Sequence, residues 1–528
     1  MRSRTLLAAT TAIMVNLPSL AHAQDQQAGT SAQGTASDPR ISAETPVDPV
    51  PGDIIVTARQ RAESLKTVPI AVTALSGDAI KQQQILAIKD IAAYAPGLNI
   101  NSDSVGRAFI SIRGVGTTLI DTVQPGVGIF IDGVYQPNTS YLNSPIVDVA
   151  RIEVLRGPQG TLFGNNTLGG AISVITRQPG NDLEVRADGA FAGSDDYRSA
   201  SASISGPIVE DVLQVRVGGA YHRHDGFQKN LIAGGDSNPL TQKTVNGTVR
   251  FLPSEWATFT LNGNYDRVRG GNTPYVSVTG PRDYSRNNAS NQLSLATITY
   301  KGISLKGEFD ADAISTKITA IGAYNRRNLR SAGDGDFGAV DFLRSTATSR
   351  LTTKTGELRF DTQYSDSVST LIGLFASRST NDQTTLTTLV PLGLRVPAAS
   401  RSVDERQAIF GTIFFKFSPT LDLAVGGRYD HQKLDISSAL TAPTYKANEF
   451  QPRVTLSQKW TPDVMTYASV AKGVRGGGQN GPGAPNLIFD GDDVWTYEAG
   501  VKLTALDRRL SLDAAVFYND YNNFIGQN

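Results

Sequence analysis

The part of the chain after residue 180 alternates apolar and polar side chains with a period of two. The stretch "LQVRVGGAY" places Leu213 and Val215 on one face and Gln214 and Arg216 on the other. "ATFTLNGNY", "GELRFDTQY", "LDLAVGGRYDH" and "LSLDAAVFYNDY" repeat the pattern. Successive side chains of a strand point to opposite faces, so this pattern predicts antiparallel strands with one apolar and one polar face. About sixteen such strands can be counted in 181–528.

Residues 61–180 follow a different pattern, in which short apolar strands are separated by glycine turns. "FISIRGVG", "GVGIFIDGVYQP" and "VARIEVLRGPQGTLFGNNTLGGAISVITRQP" are the segments of this kind. Before them, isoleucines near the 3.6-residue spacing predict one helix, which Ser76 caps and Pro96 and Gly97 end. We therefore expect a mixed α/β unit here.

The first 23 residues have the pattern of a secretory signal peptide. Arg2 and Arg4 precede the apolar stretch "LLAATTAIMVNL", and "AHA" supplies small residues before the expected cleavage site. Twelve apolar residues are too few for a helix across ~30 Å of hydrocarbon. Residues 24–52 are rich in Gln, Ser, Thr, Pro and Gly, and we expect a disordered, extended linker.

The segment "DIIVTARQ", residues 53–60, places three β-branched side chains at the end of that linker. It could be the first strand of the following domain. Alternatively, it could pair with the exposed sheet edge of a partner protein, to which it would bind through main-chain hydrogen bonds. The segment alone favours the first of these interpretations.

Composition narrows the function classes. Lys and Arg total 49 and so do Asp and Glu, so net charge gives no reason to expect a nucleic-acid partner. The absence of cysteine excludes disulfides, thiolate metal sites and cysteine nucleophiles. No Ser–His–Asp grouping or paired-carboxylate motif is evident, so we expect neither an enzyme nor a cofactor.

Two motifs have alternative interpretations that we consider and disfavour. "GNNTLGGA", residues 164–171, approaches the spacing of a phosphate-binding loop, but Gly169 is followed by Gly170 and Ala171 instead of Lys and Ser or Thr. Its glycines are better explained by tight turns and close backbone packing. "HRH", residues 222–224, places two imidazoles on one strand face, but no third ligand follows nearby.

Taken together, "IRGVG", "IDGVYQP" and "RIEVLRGPQGTLFGNNTLGGAISVITRQP" closely resemble the plug domain of TonB-dependent outer-membrane receptors. "DIIVTARQ" resembles their TonB box. The resemblance implies a mainly β fold: a transmembrane antiparallel barrel, of 22 strands in plugged transporters, whose lumen holds a mixed α/β plug. It assigns 53–60 to the TonB box, 61–180 to the plug domain and 181–528 to the barrel, and it favours partner-strand addition for the box.

The resemblance and chain position together suggest roles for particular residues. The TonB-binding residues would be Asp53, Ile54, Ile55, Val56, Thr57 and Ala58. The plug residues that face the substrate would be Arg107, Thr117, Asp121, Gln124, Tyr135, Gln136 and Tyr141. A lock between plug and barrel would use Arg113, Arg156 and Glu498, with Glu449 as a weaker second candidate. The structural turns would use Gly114, Gly157, Gly160, Gly164, Gly169 and Gly170.

The expected function is active import of a scarce substrate across the outer membrane of a Gram-negative bacterium. The expected partners are TonB with its inner-membrane complex, outer-membrane lipid and a small-molecule substrate, and we expect a monomer without nucleic acid. A ferric siderophore is the default substrate, while a saccharide, cobalamin or an aromatic compound remains open. A passive porin or adhesion barrel is the alternative class. Because about sixteen strands fall short of 22, we also expect a C-terminally truncated barrel.

Overall fold

A computed structural model of the protein describes most of the chain. The described residues are 14–16, 54–116, 124–164, 166–193, 195–272, 275, 278, 280, 282–284, 287–438, 441–480, 486–507 and 509–525. Asp53, Thr117 and Asp121, three of the predicted site residues, lie outside them. In the described part, no helix is both long and apolar enough to cross a membrane.

Twenty-eight strands and several short helices make up the described structure. The strands before residue 180 are β1 (Met14–Asn16), β2 (Ile55–Val56), β3 (Glu63–Ser64), β4 (Val72–Ser76), β5 (Leu98–Ser104), β6 (Arg107–Ile112), β7 (Val115–Gly116), β8 (Val127–Ile131), β9 (Val134–Gln136), β10 (Val149–Arg156) and β11 (Gly170–Thr176). The later strands are β12 (Glu184–Ala192), β13 (Tyr197–Val209), β14 (Leu213–His224), β15 (Leu240–Ser254), β16 (Ala257–Gly271), β17 (Leu295–Ala311), β18 (Thr316–Asp334), β19 (Leu343–Ser365), β20 (Val368–Leu389), β21 (Leu394–Ser418), β22 (Leu421–Ser438), β23 (Thr444–Thr461), β24 (Val464–Arg475), β25 (Gly478–Gln479), β26 (Ile488–Phe489), β27 (Asp492–Ala505) and β28 (Leu510–Asn522). The helices are α1 (Gly77–Gln82), α2 (Gly160–Phe163) and 3₁₀ turns at Ile88–Ala93, Thr139–Asn143, Asp312–Ile314 and Val390–Leu392.

One large antiparallel sheet forms the barrel wall. Its order runs from β12 through β24 in sequence, then β27, β28 and finally β1. Residues 181–528 thus supply fifteen of its sixteen strands, close to the number counted from the sequence. The remaining strand, β1, lies inside the predicted signal peptide and pairs with β28. The signal peptide stays a prediction.

The two faces of this sheet are as the alternation predicts. Gln214 and Arg216 are buried against the interior, whereas Val217, Leu261 and Tyr265 are exposed on the outside. The wall is therefore inverted relative to a soluble protein, with apolar side chains outward and polar ones inward. Outer-membrane barrels have this arrangement because lipid contacts their outer face and the interior is polar.

The two ends of the wall differ in the length of their connections. Short turns join strands at one end, at 210–212, 255–256, 312–315, 366–367, 419–420, 462–463 and 506–509. Longer segments are found at the other end, at 225–239, 272–294, 335–342 and 476–491. Outer-membrane barrels have short periplasmic turns and longer extracellular loops. The short-turn end is therefore assigned to the periplasm.

The plug domain is built on two small sheets. One has the order β4-β10-β11-β8-β9, in which β8 and β11 are parallel and the other pairs are antiparallel. The other has the order β5-β6-β7. A shared core of buried aliphatic side chains, including Ile88, Ile112, Ile129, Leu142 and Ile152, packs between these sheets and the 3₁₀ turns. The mixed α/β character predicted for 61–180 is confirmed.

The single helix predicted after Ser76 is wrong in extent. Ser76 does cap α1, because its hydroxyl accepts a hydrogen bond from the Ala79 N–H at 3.2 Å. However, α1 ends at Gln82, Gln84 adopts a φ of +52°, and the chain resumes as a 3₁₀ turn at Ile88. A residue with left-handed backbone geometry ends the helical repeat. The isoleucines that suggested one helix therefore lie on two separate helical segments.

Candidate functional site

The predicted TonB box, which we call the box, is packed against the plug domain through its described residues 54–60. Ile55 pairs with Ser64, and Val56 pairs with Glu63. This pairing occupies one hydrogen-bonding edge of the box. Val56 and Ala58 are fully buried, in a cluster shared with residues of β4, β8 and β10. The short β-branched run therefore forms a strand that pairs with a neighbouring segment of the same chain.

A buried carboxylate holds the end of the box. The Thr57 N–H donates to both oxygens of Glu153, at 2.9 and 3.0 Å, and the Thr57 hydroxyl donates to the same group at 3.2 Å. Glu153 is completely buried on β10, and its charge is balanced by Arg151 at 2.7 Å. Hydrogen bonds to an ionised acceptor are among the strong ones in proteins. Glu153 is thus the main polar anchor of the docked box.

The residues that follow the box connect it to the barrel wall. Arg61 donates from Nε to Asp361 on β19 at 2.8 Å and from Nη1 to Ser369 on β20 at 3.1 Å. Its guanidinium lies 4.1 Å from the ring centre of Phe414 on β21. Asp361 and Ser369 flank the 366–367 turn. The box therefore lies at the short-turn end of the barrel.

Arg113 and Glu498, two residues of the predicted lock, form an ion pair between the plug domain and β27. Both side chains are almost fully buried. The second oxygen of Glu498 accepts from the Tyr467 hydroxyl at 2.8 Å, and the Arg113 guanidinium lies 4.2 Å from the ring centre of Phe517. Each oxygen of the carboxylate thereby has a partner.

Arg156 and Glu449 do not take part in an ion pair of this kind within the described structure. Arg156 is buried beside Arg113, and burial lowers its pKa from the ordinary value. Glu449 on β23 lies 4.0 Å from Lys472, away from the plug arginines. The lock interaction therefore consists of Arg113 with Glu498.

The structure adds anchors that the sequence did not suggest. Arg216 on β14 donates from Nε to Asp148 of the plug domain at 2.8 Å. Arg453 on β23 donates to the Pro158 carbonyl at 3.1 Å, and Arg475 on β24 donates to the Gly116 carbonyl at 2.9 Å. These partners are 68 to 359 residues apart in sequence, so only the folded barrel brings them together.

An open cavity of about 330 Å³, which we call the chamber, lies between the plug domain and the barrel wall toward the long-loop end. Three of the predicted substrate-facing residues, Arg107, Gln124 and Tyr135, line it from the plug side. The wall side is supplied by polar residues of β18 to β22, among them Arg327 and Arg406. Burial raises the pKa of Tyr135, so its phenol is protonated and can donate at neutral pH.

Gln136 and Tyr141 lie elsewhere. Both are buried and line a second cavity of about 110 Å³ that faces β14 to β18. Gln136 directly follows Tyr135 on β9, and adjacent strand residues point to opposite faces. Tyr141 packs its ring 4.7 Å from that of Tyr300 on the wall. The predicted contact of these two residues with substrate therefore has no support from the chamber geometry.

The predicted turn glycines all lie where the backbone is crowded or left-handed. The positive-φ residues are Gly114, Gly157, Gly164 and Gly170, while Gly160 and Gly169 pack against Gln451 and Val115. Gly170 begins β11, and α2 precedes the loop. The chain thus runs from helix to strand, the reverse of a phosphate-binding loop, and the nucleotide interpretation is not supported.

The two histidines of "HRH" have separate partners. His222 Nδ1 shares a hydrogen bond with the Ser199 hydroxyl at 2.7 Å, and His224 Nδ1 lies 3.9 Å from Asp195. Among the residues that the structure describes, no group of three or more potential metal ligands is found. His222 therefore takes part in the hydrogen bonding between β13 and β14, whereas His224 lies beside a carboxylate of the connection before β13.

Comparison with known proteins places this architecture in a family. Residues 64–171 match the TonB-dependent receptor plug domain, and residues 234–528 match the TonB-dependent receptor-like β-barrel. The second match covers more than half of the chain. The chain belongs to the TonB-dependent receptor family, whose members are outer-membrane β-barrels of Gram-negative bacteria and act as receptors and transporters instead of enzymes.

Individual relatives are similar at moderate identity. The pesticin receptor of Yersinia pestis is 25% identical over 494 residues, which is 88% of this chain and 70% of the relative. The ferric yersiniabactin uptake receptor FyuA of Y. pestis superposes with a TM-score of 0.77 at 22% identity, over 86% of this chain and 73% of that structure. The ferripyoverdine receptor of Pseudomonas aeruginosa gives 0.74 at 19% identity, over 89% and 66%.

Proposed function

We propose that the protein imports a ferric siderophore across the outer membrane, with energy delivered through the TonB box. The observation that carries this proposal is the relative position of the chamber, the box and the plug domain. The chamber opens toward the long-loop end, the box is docked at the short-turn end, and the plug domain fills the space between them. A substrate that enters the chamber cannot pass until the plug domain moves.

The docked box is poised for strand exchange. Its edge is paired with Glu63 and Ser64, and a partner strand would have to replace this pairing. The anchoring of Thr57 to Glu153 joins the box to β10, an inner strand of the five-stranded plug sheet. Force on a box held in this way would be transmitted to the core of the plug domain.

The relatives support an iron chelate as the substrate. FyuA is described as a ferric yersiniabactin uptake receptor, and the P. aeruginosa structure contains ferripyoverdine. Import of a saccharide, cobalamin or an aromatic compound would use the same mechanism. A porin or adhesion barrel is disfavoured by the tightly anchored plug domain, because a passive pore requires an open lumen.

Deletion of residues 54–58 tests the mechanism. Cells that carry the wild-type protein or the deletion are compared for surface binding and for uptake of radiolabelled iron chelates of the catecholate, hydroxamate and carboxylate classes. We expect binding to persist and energised uptake to be lost. Equal uptake by the two strains would contradict TonB-dependent transport, and uptake of a saccharide or cobalamin but of no iron chelate would reassign the substrate.

A further inference from the structure

Arg327 on β18 is a buried cation that lacks a counter-charge. It lines the chamber and only 3% of its surface is exposed. One of its Nη atoms donates to the Ser349 hydroxyl at 3.2 Å, while its Nε–H has no hydrogen-bond acceptor. Among the described residues, no carboxylate lies within ion-pair distance of this guanidinium.

The other buried arginines of the chamber wall are neutralised locally. Arg406 donates to Asp404 at 2.9 Å, and Arg428 donates to Asp430 at 2.9 Å. In each pair, the acid lies two residues away on the same strand and therefore on the same face. The two charges of each pair neutralise each other, so neither acid is left to compensate the charge of Arg327.

A carboxylate in the same register row as Arg327 is separated from it by an aromatic residue. Asp266 on β16 and Arg327 on β18 are both register partners of Tyr300 on β17. The Tyr300 hydroxyl donates to the Ser140 carbonyl of the plug domain at 2.6 Å, which fixes the ring between the two charges. Asp266 accepts a hydrogen bond from Asn264 at 2.6 Å.

Isolated buried charges are costly, so proteins usually pair them. A guanidinium that lines an open cavity without a counter-charge is a site for an anion brought by a ligand. Ser349 holds the guanidinium from one side and donates in turn to Asn381 at 2.8 Å. This chain of hydrogen bonds across β18, β19 and β20 fixes the planar donor fork, which suits carboxylate-like oxygen pairs.

We propose that Arg327 is the anion-recognition residue of the chamber and that the preferred substrate is an anionic, carboxylate-bearing chelate. This proposal rests on the proposed import function for the identity of the substrate as a chelate. The anion site itself is defined by the geometry of Arg327. A neutral chelate would leave the guanidinium unpaired and would bind less tightly.

The test measures binding to the purified full chain in detergent. The probes are ferric citrate, metal-free citrate and a neutral ferric hydroxamate, and titration calorimetry gives their dissociation constants. We expect Arg327→Gln to weaken binding of both citrate probes by at least about thirty-fold, the lower end of the effect of removing one partner from a buried charge pair. Binding of the hydroxamate should change little.

Two further variants make the result specific. Arg330→Gln removes the same charge from β18, three residues away and therefore on the opposite face, and should leave binding unchanged. Arg327→Lys keeps the charge but loses the fork, so it should bind citrate with intermediate affinity. The unliganded Arg327→Gln protein should melt at the same or a higher temperature, because an unpaired buried charge has been removed, whereas a purely structural arginine would lower it.

The outcomes separate this proposal from the proposed function. Binding of citrate to Arg327→Gln as tightly as to wild type, or no binding of either citrate probe to wild type, would overturn the anion site. Arg327-dependent binding of metal-free citrate, combined with no uptake of any ferric chelate by cells, would retain the anion site and reject iron import.

Discussion

Arg113 of the plug domain and Glu498 of β27 form an ion pair that is almost completely shielded from water. They are 385 residues apart in sequence, and the pair joins the plug domain directly to the barrel wall. A charge pair at such a site contributes more to specificity of placement than to net stability, because desolvation offsets much of its attraction. Breaking one side should nevertheless be costly, since the other charge stays buried.

The first prediction concerns this pair. Glu498→Gln leaves the Arg113 guanidinium buried without an anion, and removal of one partner from a buried pair costs about 3 kcal/mol or more. We expect faster hydrogen exchange in β6 and β7 of the plug domain, measured by mass spectrometry. Glu449→Gln is the control, because its nearest cation, Lys472, lies 4.0 Å away and the plug arginines are not involved. Unchanged exchange in Glu498→Gln would show that other anchors hold the plug domain.

Much of the fold could be predicted because its signals are local. The alternation of apolar and polar residues in β14 predicts that Arg216 faces the interior. The capping of α1 by Ser76 can be recognised from four consecutive residues. The attachment points could not be predicted in this way. Asp148 as the partner of Arg216, and Glu153 as the anchor of the box, depend on strand register between distant segments. Register is set by the whole sheet and not by the residues that meet.

The candidate site was predictable to a similar extent. The family motifs predicted the box, and they predicted Arg113 and Glu498, which the structure brings together as an ion pair. The sequence did not suggest a role for Arg327, because the preceding residue, Arg326, is also an arginine and nothing local shows which arginine lacks a counter-charge. Whether a charge is paired depends on the positions of all the groups around it. Only a three-dimensional structure reveals it.

The second prediction concerns docking of the TonB box. Glu153→Gln keeps the shape of the side chain but loses the charge that accepts the Thr57 N–H, so the box should detach more often. The chain has no cysteine, so a single Ile54→Cys substitution permits clean spin labelling of the box. We expect a larger mobile fraction in the electron paramagnetic resonance spectrum of the Glu153→Gln protein.

A matched control for that experiment is Asp90→Asn. Asp90 also accepts two backbone N–H groups, those of Leu86 and Ala87, but at the start of a 3₁₀ turn of the plug domain. It should leave the spectrum of a label at position 54 unchanged. Equal spectra for the Glu153→Gln and wild-type proteins would show that the apolar contacts of Val56 and Ala58 are sufficient to hold the box.

The third prediction concerns pH and the second anchor. Burial pushes the pKa of Asp148 upward, but the Ser203 hydroxyl and the Arg216 and Arg177 guanidinium groups outweigh it and hold the pKa below its ordinary value. A carboxyl whose pKa is depressed on folding contributes stability above its unfolded pKa, about 3.9, and this contribution is lost as pH falls through the folded value. The anchor should therefore hold throughout the neutral range and fail only in stronger acid.

Asp148→Asn should reproduce the acid state at neutral pH. We expect its thermal midpoint to lie below that of the wild type at pH 7 and to approach it as the pH falls through the lowered pKa of Asp148, where the wild-type carboxyl becomes protonated as well. Scanning calorimetry at a series of pH values measures this difference. A constant difference across the whole range would mean that the amide disturbs packing and that the charge of Asp148 is unimportant.

The fourth prediction concerns the turn that begins β11. Gly170 has a φ of +148°, and a Cβ added there would clash with the Leu155 carbonyl oxygen on β10. Gly170→Ala must therefore either strain the backbone or separate β11 from β10, at a cost of about 1–3 kcal/mol. Gly180→Ala is the control, because nothing lies within 4 Å of the added methyl group and its φ is not positive. The urea midpoint of the plug domain, followed by hydrogen exchange, should fall for Gly170→Ala alone. Equal midpoints for the two variants would show that β10 and β11 can separate without loss, and would contradict a requirement for glycine at this position.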